Sequence, residues 1–324
     1  MKKPTISVIM SVYNDQGYLG ESVESILNQT FKDFEFIIID DGSKDKSVKI
    51  IKDYIKKDKR IFLIENKKNI GLTKSLNEGL KKARGKYIAR MDVGDVSFPN
   101  RLKKQFKFLE ENRDVFLNFT GVNFVDEDKS VIAQNMPLRN IDEIIKRLKQ
   151  KNCIAHPSIM FRNEGQLYRE KFRYAQDYDF YLYSISMSKK IAPLMEVLVD
   201  CRYRNNSLSS SKMAHQKLFA EKAKALYFER ERKGRDGYGQ FNPNSILKIN
   251  TENSYKKIIL ESNMKANFGL SNYSRFRIFY YRYAKRYGII NKFLILYFAS
   301  FLGSKLVMLI GKITPSGILR RINN

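Results

Sequence analysis

The first hundred residues alternate between short β-branched runs and segments whose apolar residues recur at helical spacing, and that alternation leaves few folds open. Ile6 to Val12 is an apolar run, followed by Leu19, Val23, Ile26 and Leu27 on one helical face. Phe34 to Ile39 forms a second run, with Val48, Ile51 and Ile55 after it. The pattern repeats through Ile61 to Ile64, a helix around Leu76 and Leu80, and Tyr87 to Met91. Four βα-type units in about a hundred residues predict an α/β fold, a doubly wound parallel sheet with helices on both faces. Sheets of this kind bind ligands beyond the carboxyl ends of their strands.

Polar residues gather at those ends. The first strand runs into Tyr13-Asn14-Asp15, the second into Asp40-Asp41-Gly42-Ser43 and the fourth into Asp92-Val93-Gly94-Asp95. Asp, Asn, Gly and Ser end strands in many proteins because they suit turns and caps, but three such clusters on one edge point to a ligand. The sheet has no glycine-rich phosphate loop of the G-x-G-x-x-G or Walker type, so a nucleotide would be held in another way.

Several blocks together resemble family 2 glycosyltransferases of the GT-A fold: Ser11-Val12-Tyr13-Asn14, Ser25-Ile26-Leu27-Asn28-Gln29-Thr30-Phe31, Ile39-Asp40-Asp41-Gly42-Ser43, Asn69-Ile70-Gly71-Leu72 and Ala89-Arg90-Met91-Asp92. The resemblance is ordered from about Pro4 to about Ser209. It implies a Rossmann-like, mostly parallel sheet flanked by helices, and an inverting, hexosyltransferase-type enzyme that uses a nucleotide-diphosphate sugar. Tyr13 is similar to the aromatic that stacks on the base. Asp41 is similar to the carboxylate that accepts the base's imide N–H, a pairing that favours uracil or thymine over cytosine; of the two donor classes, UDP-sugars are expected ahead of dTDP-sugars. Ser11, Asn14, Asp40 and Asn69 would shape the same pocket, and Arg90 and Asp92 would lie beside the ribose and diphosphate.

The chain departs from the family at the metal-binding loop. Relatives read Asp-x-Asp-Asp or close to it, whereas this chain has Gly94 at the position that supplies the main carboxylate to Mg²⁺ or Mn²⁺. A glycine offers a hard cation no side-chain oxygen. The expected compensation is a cation held by Asp92 and Asp95; a metal-independent or inactive protein is the alternative.

A second motif, Cys153-Ile154-Ala155-His156-Pro157-Ser158, resembles the strand leading to the family's acceptor site. Ala175-Gln176-Asp177-Tyr178-Asp179 resembles its Glu-Asp-Tyr-Asp block, with Gln176 replacing the usual acid. Inverting transfer needs a carboxylate to take the acceptor hydroxyl's proton, and the resemblance assigns that role to Asp177. Asp179 is expected to be structural, and His156 a hydrogen-bonded strand residue. Arg204 and its neighbour Arg202 could offset diphosphate charge where relatives carry another His.

Charge is unevenly distributed. All 34 acidic residues lie at or before Glu261, so the body, with 49 Lys and Arg, carries +15, and the last 63 residues, with 11 Lys and Arg and no acid, carry +11. Cys153 and Cys201 are too few for a disulfide framework, and Met1-Lys2-Lys3-Pro4-Thr5 opens without an apolar signal region, so a cytoplasmic setting is expected. Lys217 to Lys233 reads as a helix, and Pro243 marks a loop. Beyond Tyr273, a helix would set Arg275, Arg282, Lys285 and Arg286 beside Phe276, Phe279, Tyr280, Tyr283, Tyr287 and Ile290, a pattern suited to a membrane interface. Residues 293–311 are almost wholly apolar, but Gly303-Ser304-Lys305 interrupts them, which predicts two short interfacial helices rather than a span.

The expected organisation is therefore a GT-A catalytic domain over 1–210, a helical subdomain over 211–261, and a basic amphipathic extension over 262–324, peripheral on the inner face of the cytoplasmic membrane. The expected partners are a nucleotide sugar, a glycan or lipid-linked acceptor and an anionic membrane; a homo-oligomer is left open. A nucleic-acid-binding protein would explain the charge but would leave the ordered donor-site blocks without purpose. A glycosyltransferase-like scaffold without activity is the stronger rival, because of Gly94.

Overall fold

A computed structural model describes residues 3–203, 212–249, 260–261, 264, 273–288 and 291–301. The chain divides into two compact units, one holding residues 1–211 and 215–247 and the other residues 212–214 and 248–324. Of the segment 211–261, expected as a separate helical subdomain, residues 215–247 belong to the first unit.

Among the described residues, the first unit is built on a nine-stranded sheet ordered β3-β2-β1-β4-β8-β6-β9-β5, with β7 added to β6. Strands β1 (Ile6–Val12), β2 (Phe34–Asp40), β3 (Ile61–Glu65) and β4 (Tyr87–Asp92) are mutually parallel. Beyond β4 the sheet is mixed: β8 (Ile159–Arg162) runs antiparallel to β4 and to β6 (Val115–Val125). β6 is parallel to β9 (Lys190–Arg202), β5 (Val96–Ser97) is antiparallel to β9, and β7 (Val131–Asn135) closes a hairpin with β6.

The alternation of side chains along each strand divides the core between the faces. Val8, Met10, Phe36 and Ile38 pack with Leu19, Val23 and Ile26 of α1 (Gln16–Leu27) and Ile51 of α2 (Ser47–Lys57). Ile9, Ile37 and Ile39 pack with Leu76 and Leu80 of α3 (Leu72–Lys82). Being covered on both faces, β2 is buried along its whole length, which explains its unbroken apolar run. α4 (Arg101–Glu111) carries a fully buried Arg101, whose Nη2 donates to the carbonyls of Arg90 (2.8 Å) and Ile159 (3.2 Å) and so ties β4 to β8. Burial lowers that guanidinium to about 9, which leaves it charged at neutral pH.

α5 (Ile141–Leu148) and α6 (Gln176–Ser186) complete the face that α3 begins. α7 spans Met213–Lys233, starting one turn before the expected Lys217, and its Phe219, Ala223, Leu226 and Tyr227 join the same core.

In the second unit, α8 (Tyr273–Tyr287) and α9 (Asn291–Ala299) pack around Met264, Phe276, Tyr280, Tyr283 and Leu296. The expected helix 273–290 thus ends near Tyr287. Of the two short helices expected within 293–311, the first coincides with α9, and the second lies outside the described residues. Among the described residues, no helix is long and apolar enough to cross a membrane.

Candidate active site

Three loops at the carboxyl edge of the parallel strands form one cradle. Asn14, in the left-handed region at φ 49°, is tied to the second loop in both directions: its N–H donates to Ser43 Oγ (3.0 Å), and its Oδ1 accepts from the Lys44 N–H (2.7 Å). Gly42, at φ +77°, brings that loop against the next, where an added Cβ would lie 2.7 Å from the Lys68 carbonyl carbon and 2.8 Å from the Asn69 nitrogen. The D-G-S motif needs its glycine for both reasons. Tyr13 follows β1 at this edge and is 49% exposed. Ser11 pairs in register with Ile39 and Asp92 at the edge of the same cradle, and Asn69 is exposed on the β3–α3 loop.

The paired aspartates hold the cradle's shape. Asp40 Oδ2 accepts from the N–H groups of Gly42 and Ser43, both at 3.1 Å, while its buried Oδ1 has no hydrogen-bond partner among the described residues. Asp41 accepts from Asn66 Nδ2 (3.0 Å), Ile70 N–H (2.8 Å) and Gly71 N–H (2.9 Å). A carboxylate has about four acceptor positions, so those three bonds leave one for a ligand.

A second cluster forms where β4 ends beside α6. Arg90 is buried; its guanidinium pairs with Asp92 and bonds the Met91 carbonyl, and its Nε has no partner among the described residues. Asp92's side chain is 37% exposed. Gly94 continues the turn at φ 97° and donates to Ser22 Oγ (2.9 Å), whose hydroxyl in turn donates to the Asp95 carbonyl (2.9 Å). Asp95 is buried, and its Oδ1 accepts from the Arg202 N–H (3.0 Å), so this carboxylate is built into the β5–β9 junction. Arg202 is likewise occupied: it donates to the carbonyls of Gly94, Asp126 and Glu127 and to the Glu21 carboxylate, and lies over the Tyr18 ring. It clamps the loop and has little left to offer a diphosphate. Arg204 lies outside the described residues.

Among the described residues, no three His, Cys, Asp or Glu side chains converge as a metal cage. The donor set that fits a cation is narrower: Asp92 can supply one carboxylate, and a hard cation bound through one or two carboxylates completes its shell with substrate phosphates and water.

Asp177 is half-buried in the first turn of α6, behind Ala175 in the left-handed region at φ 53°. Burial raises its pKa and the nearby Asp92 charge adds to the rise, while the Asn152 side-chain amide, donating to Oδ2 at 2.7 Å, works against it. Gln176 is buried beside it. Asp179, two residues on, is fully buried and ion-paired at both oxygens with Arg169, whose Nη1 reaches Asp236 at 2.8 Å. Burial lifts Asp179 to about 6 against the pull of Arg169.

His156 sits in a 3-10 turn (His156–Ser158) ahead of β8 rather than within the strand. Its Nε2 is 2.7 Å from the Tyr168 hydroxyl, and burial with the Arg90 charge lowers its pKa well below the usual value, so it is neutral. Tyr168 and Tyr181 both lie within electrostatic reach of Asp177, Asp92 and Arg90, and among the described residues the Tyr181 hydroxyl has no hydrogen-bond partner. Asn152, Tyr168, Arg169 and Tyr181 were not singled out from sequence. Only Tyr181 carried a signal, its i+4 spacing from Asp177 on a helix.

An exposed tyrosine beyond β1, an exposed carboxylate at the end of β4 and a partly desolvated one at a helix start lie on a sheet of the GT-A type. Residues 7–171 match the glycosyl transferase family 2 profile, and the chain belongs to that family. It is 41% identical over 226 residues to an uncharacterized glycosyltransferase of Methanocaldococcus jannaschii, covering 68% of this chain and 78% of that one. It is 36% identical over 219 residues to the O-antigen biosynthesis glycosyltransferase WbnJ of Escherichia coli, covering 65% and 84%. The fold is similar to S. aureus TarS 1–349 in complex with UDP-GlcNAc, with TM-score 0.50 and 21% identity, covering 64% and 60%.

Proposed function

We propose that this glycosyltransferase moves a sugar from a UDP-sugar, with inversion, to a hydroxyl of a glycan or lipid-linked acceptor in cell-surface polysaccharide or lipopolysaccharide synthesis. The observation that carries the reading is Asp177: a carboxylate with a raised pKa, within electrostatic reach of Asp92. In this reading, Asp177 takes the acceptor's proton as the acceptor oxygen attacks the anomeric carbon, and the nucleoside diphosphate leaves from the opposite face. Tyr13 stacks on the base, and the remaining acceptor position of Asp41 takes the imide N–H. Ser11, Asn14, Asp40 and Asn69 shape the cradle, and Arg90 orients Asp92 beside the diphosphate. Gln176 and His156 line the acceptor side, and Asp179 holds the start of α6 in place.

Asp92 is the residue that would hold Mg²⁺ or Mn²⁺, which when bound neutralises charge on the departing diphosphate. Asp95 shapes the loop. The UDP preference draws support from the TarS complex, and the acceptor class from the name of the E. coli relative. We place the enzyme at the inner face of the cytoplasmic membrane, held there by its basic C-terminal unit.

A scaffold without activity is the second reading, favoured by Gly94 and by the bond that ties Asp95 to Arg202. Both readings meet in one experiment: a panel of UDP- and dTDP-sugars, with and without Mn²⁺, followed by thermal shift and donor turnover. A UDP-sugar should raise the melting temperature and be consumed, and Asp177→Asn should bind it without turnover. No consumption of any donor sinks the enzyme reading, and turnover unchanged by a chelator sinks the metal clause.

A further inference from the structure

Helix α8 has two chemically distinct faces. Phe276, Tyr280 and Tyr283 are buried with Met264 and Leu296, and Tyr280 stacks on Tyr297 with ring centroids 4.7 Å apart. The aromatic side that sequence alone assigns to a membrane is therefore taken up inside the unit. The opposite side is exposed, and there Ile278 (51%) and Tyr281 (65%) alternate with Arg275, Arg282, Lys285 and Arg286. Their spacing by three, four and seven residues puts them on a single stripe.

We propose that this stripe docks the second unit on an anionic lipid bilayer. Ile278 and Tyr281 enter the headgroup boundary, and Arg282 and Lys285 meet lipid phosphates. The inference deepens the reading that the enzyme works at a membrane, and it names the face. A bilayer fits this stripe better than a nucleic acid does, because an isoleucine in the middle of a cationic face has no role against a phosphate backbone but gains from burial among acyl chains. Two rings of the same unit also stand in solvent, Phe298 (63%) and Phe301 (61%), and Arg277 lies 4.6 Å over the second. The chain after Glu261 contains no acid to repel an anionic leaflet.

The test uses the full chain and flotation with vesicles of phosphatidylcholine alone or mixed with phosphatidylglycerol. Wild type should float with the anionic vesicles only, and less so at high salt. Arg282→Ala with Lys285→Ala should lower partitioning about 30-fold, at about 1 kcal/mol per cation. Ile278→Glu with Tyr281→Glu should abolish flotation while leaving UDP binding and far-UV dichroism unchanged, since both side chains are exposed and remote in sequence from the donor-site residues. Wild-type flotation by both double variants overturns the inference. Displacement of the protein from vesicles by an RNA oligomer, with RNA binding weakened by the same substitutions, overturns it in favour of nucleic acid. A dimer in solution broken by Ile278→Glu, without any vesicle binding, overturns it in favour of self-association. Flotation lost in the variants supports the inference even if no donor is ever turned over, which would count against the transfer reading alone.

Discussion

Asp177 and Asp179 stand two residues apart at the start of α6, and replacing each in turn should separate chemistry from stability. Asp179 is fully buried: both oxygens bond Arg169, whose own side chain is 12% exposed and also meets Asp236. Asp179→Ala strands a buried guanidinium on one remaining carboxylate, and breaking a buried ion pair costs about 3–5 kcal/mol. Because Asp236 stays in place, the lower end applies, about 3 kcal/mol. For a unit of this size, each kcal/mol moves the melting temperature by about 2–4 °C, so a drop of about 6–12 °C is expected. Asp177 is half-buried with a raised pKa, so in the folded protein its ionised form is disfavoured relative to the unfolded chain. Asp177→Ala should therefore melt at or slightly above wild type, while kcat falls about 10²–10⁴-fold if the carboxylate is the base. The assays are thermal unfolding monitored by near-UV dichroism and donor turnover at saturating UDP-sugar. A melting temperature for Asp179→Ala within 2 °C of wild type, or equal destabilisation by the two changes, would refute the division of roles.

Tyr13→Ala removes a stacking surface worth about 1–3 kcal/mol per base, so UDP should bind about 5–150-fold more weakly by calorimetry; a change below about twofold rules out the platform. Gly42→Ala forces a Cβ into the Lys68–Asn69 backbone from a positive φ, at a cost of about 1–2 kcal/mol before the contact is counted. Both stability and UDP affinity should fall, and loss of stability alone would separate this turn from the nucleotide pocket. The general base must be unprotonated, so kcat/KM should rise with pH through the pKa of Asp177, which burial raises. Asn152→Ala, which deletes a donor that favours the ionised form, should move this acid limb further up; an unmoved limb shows that Asn152 does not act on the base.

The parallel strands β1 to β4 were readable because a strand covered on both faces must be apolar throughout, and the intervening helices must turn one apolar stripe to the sheet. The polar strand ends followed, since a parallel sheet puts them all on one edge. Beyond β4 that logic weakens. The reversal at β8, the parallel return of β9 and the capture of α7 by the catalytic core all depend on contacts between residues far apart in sequence, such as Phe172 with Phe219 and Phe241. The assignment of individual side chains was less legible still. Sequence named Asp92 and Asp95 as a pair for a cation and Arg202 as a charge for the diphosphate, but their partners depend on where β9 lies. That strand's backbone takes the Asp95 carboxylate and leaves Asp92 as the exposed carboxylate of the pair.

In the C-terminal unit the division is equally clear. Composition alone established a stretch without acids, rich in basic and aromatic residues, because charge is a sum that needs no coordinates. Which aromatics would face outward was decided only when α8 met α9. A helix can bury one stripe, and the side that finds a protein partner is no longer open to a membrane.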